Sequence, residues 1–272
     1  MLRPYALILL VILSTTCAAD PATTQPTVRP VPRTDRNSQI AHEQLLQKAK
    51  TGRIDVYFEG DSITRRWGTS DPQYADFLAN WNQNFHGWNA GNFGWGGDTA
   101  QNILWRIENG ELDGVNPKVI VLMAGTNNIG NVPAPGGDEA KTEEVTAAIK
   151  AILVAIRNKS PNATIILMGI TPRNDGRGGT RTVATIDKIN ARISKFADGK
   201  QVRYLNINDK LAKTDGTLLE GMTVDGLHLS ANGYQIWADG LKPIFTDLLG
   251  PPAKTDRAPP PTGDPAAQKT AP

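Results

Sequence analysis

The sequence predicts an α/β fold in which a parallel sheet of about five strands is covered by helices on both faces. Strand-like and helix-like segments alternate along the chain, the order that builds successive βαβ units. Residues 119–124 and 164–168 are almost unbroken apolar runs, as strands buried on both faces are. The residues with the most chemical potential fall directly after strand-like runs, where the crevice of an open parallel sheet lies.

Ile40, Leu45, Leu46 and Ala49 have helical spacing, and residues 54–58 read as the first strand. Residues 88–93 form a weaker, Asn- and Gly-rich strand, followed by a helix over 99–107 that places Ile103, Leu104 and Ile107 on one face. Residues 119–124 are the third strand. Val145, Ile149, Ile152, Leu153 and Ile156 then mark a long amphipathic helix that stops near Ser160-Pro161. A fourth strand over 164–168, a helix over 183–196, a fifth strand over 202–207 and a closing helix over 231–249 complete the unit.

The ends differ from this pattern. Arg3 precedes a wholly apolar stretch, 6–13, and Cys17-Ala18-Ala19 before Asp20 suits signal-peptidase cleavage, so residues 1–19 are expected to be an export signal. The apolar stretch is too short to serve as a permanent membrane-spanning helix. The single cysteine, Cys17, lies inside this segment and is the alternative site of a lipid anchor, which would make the protein a membrane-anchored lipoprotein instead of a periplasmic or extracellular one. Residues 20–36 and 251–272 are rich in Pro and lack apolar periodicity, which predicts a disordered linker and a disordered tail around a folded unit at 37–250. A net charge of +2 gives no support to nucleic acid as a partner.

Gly60-Asp61-Ser62 at the end of the first strand and Asp225-Gly226-Leu227-His228 near the far end of the chain supply a hydroxyl, an imidazole and a carboxylate. A serine attacks a carbonyl poorly unless a base takes its proton. Only three histidines are available, and His228 is the one with a carboxylate, Asp225, three residues before it. Ser62 is therefore the candidate nucleophile, His228 the general base and Asp225 its orienter. His42 sits among polar helical residues and His86 at the amino end of the second strand, so neither is expected at the site. In isolation Ser62 would suit a helix cap and Asp225-Gly226 a turn; convergence of the loops after successive strands sets them apart.

The backbone N–H groups of Ser62 and Gly97 and the side-chain amide of Asn127 are the candidate oxyanion donors. Asp61, Trp95 and Arg173 are weaker candidates for substrate contact; Arg173 and Arg65 also suit a solvated surface. Trp67, Trp88 and Trp95 lie in or near these loops and suit either sugar stacking or core packing, whereas Trp105 and Trp237 occupy apolar helical positions that read as core. Gly94-Trp95-Gly96-Gly97 lacks the third small residue and the acidic strand end of a dinucleotide fingerprint. No cluster of His and Cys suggests a metal, and no cofactor is expected.

Four ordered blocks, Gly60-Asp61-Ser62, Asn92 through Thr99, Gly125-Thr126-Asn127-Asn128 and Asp225 through His228, together resemble the SGNH hydrolases, also called GDSL-type esterases. The stretch from Asn92 through Trp105-Arg106 to Lys118-Val119 is most similar to the platelet-activating-factor acetylhydrolase catalytic-subunit branch. The resemblance implies a flavodoxin-like three-layer α/β/α sandwich, a Ser-Asp-His triad, no metal and a preference for short acyl groups. It points to an exported acetylesterase acting on carbohydrates. The alternatives are an esterase of acetyl- or lysophospholipids, and an inert surface binding module. The oligomeric state is left open.

Overall fold

The computed structural model describes residues 28–130, 136–176 and 179–267. The export signal and Cys17 lie outside the described residues, as do the first part of the linker and the last five residues of the tail.

Five parallel strands, β1 (Val56–Gly60), β2 (Ala90–Asn92), β3 (Val119–Met123), β4 (Thr164–Met168) and β5 (Val202–Leu205), pair in the order β2-β1-β3-β4-β5. This is the flavodoxin-like doubly wound order, and its switch point lies between β1 and β3. Side chains alternate across the sheet with a period of two. In β3, Ile120 and Leu122 face a core closed by α1 (Arg36–Lys48), α4 (Ala100–Arg106), α5 (Gly137–Lys159) and α6 (Gly179–Ile193). Val119, Val121 and Met123 face the opposite core under α2 (Ser62–Trp67), α3 (Ala75–Phe85) and α7 (Ala231–Leu249). Three layers result, as the α/β/α expectation required.

The second core is strongly aromatic. Phe58, Trp67, Trp81, Phe85, Trp237 and Phe245 meet mostly edge-to-face, the arrangement favoured by the ring quadrupole. Trp67 and Trp88 are thus core residues, not sugar platforms, and Trp237 is core as expected. Helix α3 has no counterpart in the sequence reading. Asn80, Asn82, Gln83 and Asn84 interrupt its apolar face of Phe77, Leu78, Trp81 and Phe85 and blur the period. Asn80 and Asn84 are used inside the fold, both donating to Gln235 of α7 at 2.9 and 3.0 Å.

The described parts of the two terminal segments, 28–36 and 251–267, are held against the fold where disorder was expected. In residues 28–35, Val31 exchanges backbone and side-chain hydrogen bonds with Gln101 and Asn102, and Asp35 caps α1 by accepting from the Ser38 N–H at 2.9 Å. Residues 251–267 run beside β2, the short edge strand. Asp256 accepts from the Gly87 N–H at 2.6 Å, the Arg257 carbonyl accepts from the Arg53 N–H at 2.7 Å, and Thr262 pairs with Thr69 just after α2. A sheet edge needs a cover, and a proline-rich chain can supply one through its carbonyls and a few acidic side chains. Composition alone does not register such fixed backbone pairings.

A chain ending at Gly250 should keep its helical circular dichroism but lose about 2–3 kcal/mol of stability, seen as a fall in melting temperature of about 5–10 °C. An unchanged melting temperature would show that the tail contributes nothing to the folded unit.

Candidate active site

β1 carries a buried apolar face up to Glu59 and then delivers three residues in sequence. Gly60 ends the strand. Asp61 caps α2, accepting from the Ile63 N–H at 2.9 Å, and Ser62 opens the helix. Asp61 is only 1% exposed, so it is a helix cap and not a substrate contact. Burial pushes its carboxyl up to about 7. At the opposite end of the chain, the loop before α7 brings His228 to the same place. The Ser62 Oγ lies 3.0 Å from His228 Nε2, and His228 Nδ1 lies 2.7 Å from Asp225 Oδ2.

Asp225 holds the ring from two sides. Its Oδ1 accepts the backbone N–H groups of Leu227 and His228 at 3.1 and 2.8 Å while Oδ2 faces the imidazole. Burial favours a higher carboxyl value for Asp225, but these hydrogen bonds outweigh it and hold the group below the usual range. An ionised Asp225 accepts a hydrogen bond from Nδ1–H, which leaves the Nε2 lone pair facing the Ser62 hydroxyl. Burial pushes His228 below its ordinary value, the Asp225 hydrogen bond opposes this, and the cations Arg66 and Arg173 push it further down. The imidazole is therefore neutral near pH 7, as a base must be.

The loop after β2 packs directly on the turn that carries Ser62. Trp95 donates its backbone N–H to the Gly60 carbonyl at 3.0 Å. Gly94 has no room for a side chain, because a Cβ there would stand 2.6 Å from the Arg65 backbone nitrogen. Gly97 adopts φ +78°, a left-handed conformation suited to glycine, and is exposed. Asn127, in the loop after β3, donates one amide hydrogen to the Asp98 carbonyl at 2.9 Å, which ties it to the residue following Gly97. Its second amide hydrogen is left for another acceptor. The Ser62 N–H opens α2, where no carbonyl one turn back can accept it. A hydroxyl, a neutral base and three candidate donors thus occupy one rim, an arrangement suited to acyl transfer.

The remaining candidates are placed differently from expectation. Arg173 is 4% exposed and neither meets solvent nor points at a substrate: it donates to the Thr126 carbonyl at 2.9 Å and pairs with Asp175 at 2.6 Å, fixing the loop that carries Asn127. Arg65 pairs with Asp71 at 2.7 Å and stacks over Trp95 at 4.8 Å, so it too is built into the fold. Trp95 is half-buried and donates its indole N–H to the Ser38 Oγ at 2.8 Å. Trp105 is also half-buried, not core as expected, and lies 4.9 Å from the His42 ring. These two indoles, with Arg33, Ser38 and His42, line a cavity of about 230 Å³.

Several residues around the site have no role assigned to them in the sequence analysis. Arg106 of α4, 3% exposed, binds Glu59 at 2.6 Å, Asp98 at 2.7 Å and Glu111, and donates to the Phe93 and Gly60 carbonyls at 2.9 and 3.2 Å. His42, although it sits among polar helical residues, contacts the buried Glu111 at 2.9 Å. Glu59 in an otherwise apolar strand and Arg106 on the apolar face of a helix were the available signals, since buried charges come in pairs. Arg66 approaches Asp225 at 3.5 Å and stacks on Tyr74 at 5.1 Å.

Residues 58–236 match the GDSL-like Lipase/Acylhydrolase family. Among curated proteins, the chain is 30% identical over 213 residues to the Bos taurus Platelet-activating factor acetylhydrolase IB subunit alpha1, covering 76% of this chain and 82% of that one. It is 32% identical over 210 residues to the Rattus norvegicus alpha2 subunit, covering 76% and 83%. Among solved structures, a GDSL-like lipase from Bacteroides thetaiotaomicron superimposes with a TM-score of 0.61 at 20% identity, covering 77% of this chain and 98% of that one. A carbohydrate esterase family 3 protein from Talaromyces cellulolyticus gives 0.51 at 18% identity, covering 72% and 97%.

Two outcomes follow from this electrostatic frame. Replacing Arg106 by Met removes the buried cation that Glu59, Asp98 and Glu111 share and should cost about 3–5 kcal/mol, measured by thermal or denaturant unfolding. Replacing Arg66 by Ala removes a positive charge that disfavours the imidazolium. The His228 value should therefore rise, and the acid limb of kcat/KM against pH should move to higher pH. A limb that stayed in place would show that Arg66 does not act on His228.

Proposed function

The chain belongs to the GDSL-like lipase/acylhydrolase family and is a carboxylic ester hydrolase; from this premise we propose that it is an exported serine esterase that removes short acyl groups, chiefly acetyl, from carbohydrates. The observation that carries the mechanism is the relay from Ser62 Oγ to His228 Nε2 at 3.0 Å and from Nδ1 to Asp225 at 2.7 Å.

In that mechanism His228 takes the Ser62 proton as Oγ attacks the ester carbonyl. The C=O π electrons move to oxygen, and the resulting oxyanion accepts from the Ser62 and Gly97 N–H groups and the Asn127 amide. Each such donor is worth about 3 kcal/mol in the transition state. Collapse of the tetrahedral species expels the alkoxide, which takes the proton from His228 and leaves as the alcohol. Water then attacks the acyl-Ser62 ester with His228 again as base, releasing the carboxylic acid and restoring the hydroxyl.

The carbohydrate assignment is supported by a cavity that shares the glycine loop with the site: Trp95 and Trp105 line it with half-buried indoles beside polar groups, a combination that suits sugar faces. Among the described residues the large exposed apolar side chains are Val31, Val154 and Val224, too scattered to form a lipid-contact patch. A second reading, hydrolysis of acetyl- or lysophospholipids, is favoured by the names of the curated relatives. Export is supported by the pattern of residues 1–19, and a mature amino terminus at Asp20, or a lipid on Cys17, would establish the route.

Ser62→Ala should retain the wild-type circular dichroism and melting behaviour but lose hydrolysis of an aryl acetate by about a thousandfold or more. Retained activity would remove Ser62 from the mechanism. Acetate release from acetylated xylans and monosaccharides, compared with acetyl phospholipids and with fatty acid release from lysophospholipids, decides between the two substrates.

A further inference from the structure

We propose that Arg33 is a positioning residue for the oxyanion hole: by holding the Gly96 carbonyl, its guanidinium fixes and polarises the peptide unit whose N–H, on Gly97, receives the negative charge.

The Nη1 of Arg33 donates to the Gly96 carbonyl at 3.0 Å and to Asp98 Oδ1 at 3.2 Å. The Gly96 C=O and the Gly97 N–H belong to one planar trans peptide and point in opposite directions. A donor anchored on the oxygen of that peptide therefore sets the direction of the N–H at its other end. The need for such an anchor is plain in the backbone. Gly96 and Gly97 have no side chains to pack, and Gly97 is exposed. Two adjacent glycines leave the peptide between them free to rotate unless something outside the loop holds it.

Arg33 is itself firmly placed. Its Nε and Nη2 face Asp35 Oδ2 at 3.1 and 2.9 Å, and Asp35 is the cap of α1, accepting from the Ser38 N–H and hydroxyl at 2.9 and 2.8 Å. Ser38 in turn accepts the Trp95 indole N–H at 2.8 Å. The start of α1 and the segment just before it thus hold the glycine loop on both sides of its flexible peptide, at Trp95 through Ser38 and at Gly96 and Asp98 through Arg33. With Asp35 and Asp98 balancing its charge, Arg33 acts on one peptide and is not a free cation for substrate. Hydrogen-bonding the carbonyl also strengthens the N–H of the same peptide as a donor, because linked hydrogen bonds polarise one another. Arg33 lies ahead of residues 58–236, the stretch that matches the family, so this support comes from the chain's own amino-terminal segment.

The inference rests on the serine-esterase reading, and the test separates the two. Wild type and Ser62→Ala are first compared on an aryl acetate; absence of Ser62-dependent hydrolysis overturns both. Given that activity, Arg33→Ala should lower kcat about tenfold to a hundredfold, somewhat less than outright loss of an oxyanion donor, with KM within about twofold of wild type and little change in melting temperature. Arg33→Lys should recover part of the loss, because an ammonium can still donate to the Gly96 carbonyl. Should Arg33→Ala fail to fold, Arg33→Lys and Arg33→Gln carry the same test, each with reduced kcat and unchanged KM. A kcat within twofold of wild type in the folded variants, or a rise in KM at constant kcat, overturns the proposal while leaving the esterase reading intact.

Discussion

A guanidinium taken out of water must be surrounded by acceptors, and a carboxylate taken out of water must find a cation. Arg106 satisfies both demands at once for three carboxyls, Glu59, Asp98 and Glu111, and for the backbone carbonyls of Gly60 and Phe93. Glu59 and Gly60 immediately precede the nucleophile turn. Asp98 immediately follows Gly97, the proposed oxyanion glycine. One buried side chain therefore joins the two loops whose relative position decides whether Ser62 and Gly97 can act on the same carbonyl. Burial raises the Glu59 and Asp98 carboxyls above their usual range, and the Arg106 charge opposes that rise.

Around this centre the support grades outward. Arg173 holds the Asn127 loop through the Thr126 carbonyl, and Asn128 binds the Ala100 N–H at 2.8 Å, fixing the start of α4. The tail reaches Thr69 and Ser70 just beyond the end of α2. The His228–Asp225 pair is the least enclosed part, with the Asp225 side chain 44% exposed. In the proposed mechanism, a base at an open rim can exchange its proton and admit water for the second half of the reaction.

Much of this was legible from residue order. The alternation of apolar runs gave the five strands, because strands buried on both faces have few other ways to be written. The positions after those strands gave Ser62, Gly97, Asn127, Asp225 and His228, which follow from chemistry and topology together. What stayed hidden depends on partners distant in sequence. Arg33 lies in a stretch whose composition reads as disorder, yet its partners are Gly96 and Asp98. Arg173 looks like a surface cation until Thr126 and Asp175 are placed beside it. Helix α3 was lost because its asparagines read as loop, although Asn80 and Asn84 satisfy one another's neighbourhood through Gln235.

The central claim is that Ser62 is an activated nucleophile in an assembled site, and covalent capture measures this directly. Incubation of the wild-type protein with a fluorophosphonate, followed by peptide mass spectrometry, should place a single phosphonyl adduct on the Ser62 peptide at near-stoichiometric yield. Absence of an adduct, or one carried by a different serine, would contradict it.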